Sequence, residues 1–345
     1  MKSPTFDFSG GPRVTLRRRI LVSLAIGVVG ALIVAEQYGT TLNFHTDFGV
    51  SWFGAKSMLH GIDPYPLVGR GLTYDYRWPL VYPGTALVVL IPFALLAEKT
   101  AAILFVGLST SLLAFGLTRK SWHLLPLFAT EAFMNSARLG QWSIVLTAAL
   151  FFPWLAALSS AKPQASLPIL AASRSRSTFI AAALGSIVLL LVSLILLPGW
   201  ISEWYRLAAG LKNVNPPITR FGGFLILLVL VRYRRPESWL ILALACLPQT
   251  PAWYGTLPLF TIPGAFVEAV MLAGVATLGG YIGAFVAPIP HSAAELAAYI
   301  GGLQVLTIYL PAVALVLRRP NEGELSAWRR LPAFTRRIDG VRTMP

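Results

Sequence analysis

The sequence predicts an all-α polytopic membrane protein: a bundle of about ten transmembrane helices, within a range of nine to twelve, with amphipathic helices in its outer loops. Three observations predict it. Of the 345 residues, 56% are hydrophobic and only 12% are charged, whereas an ordinary soluble domain has about 45–50% and about 25%. Apolar runs close to the roughly 20 residues needed to cross a bilayer core recur along the chain. Basic residues gather at both ends, with twelve of the 28 lying between Lys2 and Arg19 or between Arg318 and Arg342. A mean hydropathy of +0.67 agrees. This composition excludes a soluble globular enzyme, a disordered chain and a secreted disulfide scaffold. Cys246, the one cysteine, has no internal partner for a disulfide. In a soluble protein the net charge of +14 would raise nucleic acid as a partner. Beside membrane spans, basic residues report cytoplasmic orientation and contact with anionic headgroups, so membrane lipids are expected and nucleic acid is not.

The elements follow in order. Residues 1–19 read as a basic cytoplasmic tail, 20–317 as the membrane domain and 318–345 as a second basic tail. The first span is Ile20–Gly39, entered from Arg17-Arg18-Arg19. It is longer than a signal-peptide core and ends in Glu36-Gln37-Tyr38, so it reads as a retained helix with its N-terminus inside. Further apolar runs fall at about 81–97, 101–118, 141–159, 177–198, 218–231, 238–250, 257–272, 274–288 and 296–317. Lys162, Arg174 and Arg176 in one connection, and Arg232, Arg234 and Arg235 in another, are expected on the cytoplasmic side. The stretch at about 123–138, with Glu131, Asn135 and Arg138, reads as a broken piece that starts and ends near the outer face. Two polar connections then face outward, at about 40–80 and 199–217.

In the second connection, Trp200, Trp204 and Tyr205 suit a short interfacial helix. In the first, Phe48, Trp52, Ala55 and Leu59 recur at helical spacing, predicting an amphipathic surface helix over 47–60 that ends at Gly61, with a turn at Asp63-Pro64. Asp47 stands at the start of that helix. A carboxylate there can act as a general base toward a hydroxyl group, or Asp47 or Thr46 can simply cap the helix. Gly140-Gln141 opens a later span on the same side, with Arg138 just before it; that arginine is either a phosphate ligand or an interfacial anchor. Glu131 and Glu268 are intramembrane carboxylates with no partner evident in the sequence. The four histidines show no metal-ligand spacing, and no phosphate-binding glycine loop or dinucleotide fingerprint appears. No metal and no cofactor are therefore expected.

These residues resemble a family. Asp47, Trp52, Ala55, Leu59 and the sequence Gly61-x-Asp63-Pro64-Tyr65 resemble the first outer loop of the polyprenyl-phosphate-mannose-dependent mannosyltransferases of glycosyltransferase family 87. Tyr82-Pro83 resembles its Tyr-Pro-Pro motif, with Gly84 at the second proline. Gly140-Gln141 resembles its Gly-Gln-x-Asn helix start, with Ser143 at the asparagine. Lys162-Pro163-Gln164 resembles its Lys-Pro-x connection, and Thr250–Tyr254 a late outer loop rich in proline and aromatics.

The resemblance implies a GT-C fold and an inverting transfer of a sugar, mannose in that family, from a polyprenyl-phosphate donor. The acceptor would be a lipid or glycan at the outer face of the cytoplasmic membrane. It implies Asp47 as the catalytic base, which removes the acceptor proton while a phosphate leaves. Trp52, Asp63, Tyr65, Tyr82, Gln141 and Tyr254 are the substrate-binding candidates it brings, and Arg77 and Arg138 are added by location as phosphate ligands. Two other classes stay open: a transporter or flippase for a lipid-linked or small polar substrate, and a non-catalytic membrane assembly partner.

Overall fold

A computed structural model describes residues 15–40, 45–173, 175–211, 214–285 and 293–322. Most of both basic tails, Arg174, Lys212 and His291 lie outside the described residues. The fold is all-α; its only described strands are two of two residues each, Val68–Gly69 (β1) and Tyr74–Asp75 (β2), paired in parallel.

Five described helices are long and apolar enough to cross a bilayer: Leu16–Gly39 within α1 (Leu16–Thr40), α4 (Glu98–Leu117), α8 (Arg176–Leu196), α11 (Phe266–Phe285) and the continuous stretch Glu295–Leu317. The last joins α12 (Ala293–Gln304) to α13 (Leu310–Leu317) through a π turn at Val305–Tyr309. The expected break near residue 273 is absent, because α11 runs straight through it.

Helices α1 and α4 set the frame. They lie antiparallel, with Tyr38 Oη donating to Glu98 Oε1 (2.9 Å) at one end and Arg19 donating to the Phe115 carbonyl (2.8 Å) at the other. Their crossing is close because small residues face each other: Gly27 lies on Ser111, Gly30 on Thr110 and Gly107 on Ala31. The two ends are called here the loop end and the basic end.

The remaining apolar runs are shorter than a bilayer crossing. Helix α3 (Gly84–Ala94) has eleven residues, about 16 Å at 1.5 Å per residue. It packs along α2 (Asp47–Leu59), with Leu87 against Gly54. The Trp52 indole donates to the carbonyls of Phe93 and Leu96 at 3.2 and 3.1 Å, satisfying C-terminal groups that the helix itself leaves open.

Helix α2 is not the one-faced surface helix that its spacing predicts: residues on nearly every side are buried, from Phe48 through Met58. The expected surface helix is instead α9 (Trp200–Ala209). There Tyr205 is exposed, while Trp200 lies under Gly84 and Trp204 Nε1 donates to the Val81 carbonyl (2.9 Å). Trp200 fills the space that a second proline side chain at position 84 would take.

The stretch expected to start and end at the outer face instead crosses from end to end. It leaves the basic end after α4, passes a 3-10 segment Leu125–Ala129, breaks at Thr130 and continues as α5 (Glu131–Leu139) to Gly140 beside Phe48. A hairpin follows. Helix α6 (Ser143–Ala148) descends to Phe151, which lies on Gly116 near the basic end. A 3-10 segment, Pro153–Ala161, then returns to Lys162. Helix α7 (Pro163–Ala172) descends again toward α8. The late 3-10 segments Gly223–Arg232 and Trp253–Thr261 and helix α10 (Pro236–Cys246) complete the second half. At roughly 2 Å per residue, the tight winding carries nine or ten residues about 18–20 Å.

Candidate active site

Several half-length elements begin at one place, the loop end beside α2. The capping of α2 falls to Thr46, whose Oγ1 accepts from the Gly49 N–H (3.0 Å) and meets Tyr38 Oη (2.8 Å). Asp47 is thereby left without a capping duty. Its Oδ1 accepts from Tyr76 Oη and its Oδ2 from Gln141 Nε2. Gln141 is fully buried, and its Oε1 accepts from Lys162 Nζ (2.6 Å). One amide thus joins the carboxylate to the ammonium, and only one orientation of that amide serves both partners.

The local sequence explains the convergence. Gly140 closes α5 in the left-handed region (φ 63°), with no room for a side chain beside Phe48; this turn delivers Gln141 to Asp47. Phe48, Phe105 and Trp142 pack ring on ring at 5.2 and 5.5 Å, fixing α2 and the start of α6 against α4. Each such pair contributes about 0.5–1.5 kcal/mol beyond area burial. Ser143 meets Ser136 Oγ across the Gly140 turn (2.9 Å). Lys162 sits between the Pro153–Ala161 segment and α7, with Pro163 at the first position of the new helix.

Lys162 is enclosed. Its Nζ lies 4.8 Å from the Tyr254 ring centroid and 5.4 Å from that of Tyr82, a cation between two aromatic faces. Burial pulls this ammonium down to about 8, and the nearby Asp47 carboxylate pulls back upward. The Tyr76 phenol is pushed up, first by burial and then by Asp47, so it remains an O–H donor at neutral pH. Asp47 itself is half-buried. Arg77 is exposed, and its charge acts on the phenols of both Tyr76 and Tyr254.

No protein-family model matches the chain, and no curated protein or solved structure matches it.

Of the residues singled out from the sequence, Asp47, Tyr82, Gln141 and Tyr254 come together, with the charge of Arg77 acting on Tyr254. Trp52 and Tyr65 are buried supports. Trp52 holds α3, and Tyr65 Oη donates to the Tyr82 carbonyl (3.0 Å), fixing the segment before α3 that carries Tyr82. Asp63 accepts from the Tyr65 N–H (3.0 Å) in its own turn. Arg138 points elsewhere and pairs with Glu131 at 3.8 Å. Glu268 likewise has a partner, Arg319 at 3.0 Å, at the basic end. Two residues of the site were not among the candidates. Tyr76 stands in a polar loop with no motif around it. Lys162 was grouped by charge with Arg174 and Arg176; its isolation before Pro163, after an apolar run, was the available signal. Among the described residues no group of three His, Cys, Asp or Glu side chains is placed to hold a metal.

The arrangement combines a half-buried carboxylate, a buried ammonium and an aromatic lining. The carboxylate can take a proton from a hydroxyl, and the ammonium with Arg77 can hold a developing anion.

Proposed function

We propose that this chain is a membrane glycosyltransferase that moves a sugar, mannose by family resemblance, from a polyprenyl-phosphate donor to a lipid or glycan acceptor. One observation carries the reading: Asp47, relieved of capping by Thr46, shares the buried amide of Gln141 with Lys162. A base and a cation set one amide apart suit displacement of a phosphate by a hydroxyl group. Asp47 takes the acceptor proton as its oxygen forms the new bond to the anomeric carbon. The bond from that carbon to the phosphate oxygen breaks, and the phosphate leaves with the electron pair. Inversion follows from a single displacement. A leaving phosphate needs charge stabilisation more than protonation, so one carboxylate suffices, unlike the pair used in glycoside hydrolysis. Lys162 and Arg77 supply that stabilisation, and Tyr82 and Tyr254 offer ring faces to the sugar.

In this reading the chain has a GT-C-like architecture of about ten crossings, in which half-length pieces pair to complete spans. Both termini are cytoplasmic, and the site faces outward at the cytoplasmic membrane. The test compares purified wild type with Asp47→Asn, each given labelled polyprenyl-phosphate-mannose and a membrane lipid extract. Transfer by wild type that is lost in the variant, with donor binding retained, supports the reading. Equal transfer by both removes Asp47 as base.

A second reading rests on the half-length segments that meet at a buried charged pair, a pattern also found where transporters bind substrate. Liposome flux of a lipid-linked sugar without glycosyl transfer would favour it.

A further inference from the structure

The α6 hairpin that presents Gln141 and Lys162 at the loop end stops short of the opposite surface. Beneath its tip lies a recess of about 360 Å³, within the 300–1,000 Å³ range typical of small-ligand sites. Leu150, Phe151 and Ile169 form its apolar wall, and Arg119, Ser173 and Thr178 are among its polar lining. It sits where α4 ends and α8 begins, two of the bilayer-length helices, and therefore at headgroup depth on the basic side.

The charge of the lining decides its ligand. Among the described residues that line it, Arg119 is the charged one and none is a carboxylate. Four other arginines of this end are engaged by protein groups: Arg19 with the Phe115 carbonyl, Arg232 with that of Leu317, Arg235 with that of Pro320, and Arg319 with Glu237 and Glu268. Arg119 is exposed, and its guanidinium has no hydrogen-bond or ion-pair partner among the described residues. A free fork of donors beside hydroxyl groups and an apolar wall suits a phosphate that carries an acyl-bearing glycerol.

We infer that this recess binds the phosphate headgroup of an acidic phospholipid. Arg119 takes the phosphate oxygens, Ser173 and Thr178 contribute hydroxyl groups, and the first acyl carbons lie on Leu150, Phe151 and Ile169. The site is independent of the Asp47 chemistry.

The full chain, purified in detergent, would be titrated with phosphatidylglycerol or phosphatidylcholine, and bound lipid counted by native mass spectrometry. Wild type should retain one phosphatidylglycerol about five-fold more tightly than Arg119→Ala, the weight of one surface arginine, with no such difference for phosphatidylcholine. Ser173→Phe, which fills the recess without changing charge, should lose the same lipid. Arg119→Lys should keep part of the binding, and Arg234→Ala, exposed at the same end but outside the recess, should bind as wild type. Equal losses in Arg119→Ala and Arg234→Ala, or unchanged binding in Ser173→Phe, would overturn the site in favour of a diffuse basic surface. An arm with inorganic phosphate distinguishes the source. Displacement of the lipid by millimolar phosphate, with the same dependence on Arg119, would keep the phosphate site and assign it to a soluble ligand. Resistance to displacement would assign it to the lipid.

Discussion

Two of the polar clusters in this apolar chain are built on opposite plans. Around Asp47 a carboxylate and an ammonium share one amide. Around Arg220 a lone cation is held by neutral oxygens: Gln304 Oε1 at 2.8 Å and the carbonyls of Asn215 and Gln249 at 2.9 and 2.7 Å. Gln249 extends that cluster to Tyr309 (3.2 Å), tying the end of α10 to the π turn. The guanidinium there is surrounded by acceptors from its own neighbours, and the loose end is a neutral donor, Gln304 Nε2. At Asp47 the spare capacity is charged. A carboxylate has about four lone-pair sites and receives two donors here, while Lys162 gives one of its three N–H groups to Gln141. A carboxylate and an ammonium with unused valence side by side mark a place for chemistry; a cation held by three neutral oxygens from neighbouring segments marks a brace.

This comparison can be broken by substitution, beginning with the largest effect. Asp47→Asn keeps the shape and removes the proposed base, so transfer should fall about 10²–10⁴-fold, the usual worth of a general base, while the thermal midpoint stays near that of wild type. Lys162→Met removes the cation proposed to face the leaving phosphate and should lower kcat about 10²–10³-fold. The same lysine predicts a pH limb. Because burial holds it near 8, its charged form is lost as pH rises through that value, and kcat/KM should decline on the alkaline side. A flat profile to pH 10 would remove Lys162 from the phosphate. Tyr76→Phe deletes one donor to Asp47. A hydrogen bond to a charged group contributes about 1.5–3 kcal/mol, so a loss of about ten- to a hundred-fold is expected. An unchanged rate would make Tyr76 a packing residue only.

How much of this was legible beforehand depends on range. Local signals carried well: the α2 start at Asp47, the Gly61 stop, the α9 surface helix and the helical class of the whole chain follow from spacing and composition within a few residues. What failed was depth. A run such as 81–97 has the apolar length of a span, but α3 occupies eleven residues of it and lies along α2, because Trp52 claims the carbonyls at its end. Hydropathy reports that a segment avoids water; it does not report whether lipid or protein covers it. The same blindness hid the burial of α2 on several faces, and it assigned Lys162 to the wrong company. Charge counting treats every lysine as a surface residue, and the Gln141 amide and two rings that shelter this one come from positions 21, 80 and 92 residues away. Asp47 and Gln141 were both visible as motif residues, yet their contact spans 94 residues and follows only from the Gly140 turn.

The smallest effect on transfer is expected at the other cluster, where stability should respond instead. Arg220→Met keeps the stem, which packs beside Gly301, and removes the guanidinium. Three acceptors then lose their donor: Gln304 Oε1 and the carbonyls of Asn215 and Gln249. The carbonyl of exposed Asn215 recovers water at little cost. The Gln304 amide is fully buried and already has an unpaired Nε2, so it bears most of the loss. An unsatisfied buried acceptor costs about 1–3 kcal/mol, and a lowering of the thermal midpoint by several degrees should follow. Transfer by the folded fraction should stay within about two-fold of wild type, because no bond of Asp47, Gln141 or Lys162 passes through this cluster. A large fall in kcat with an unchanged midpoint would reverse the assignment, making Arg220 a ligand for substrate and this brace a second seat of chemistry.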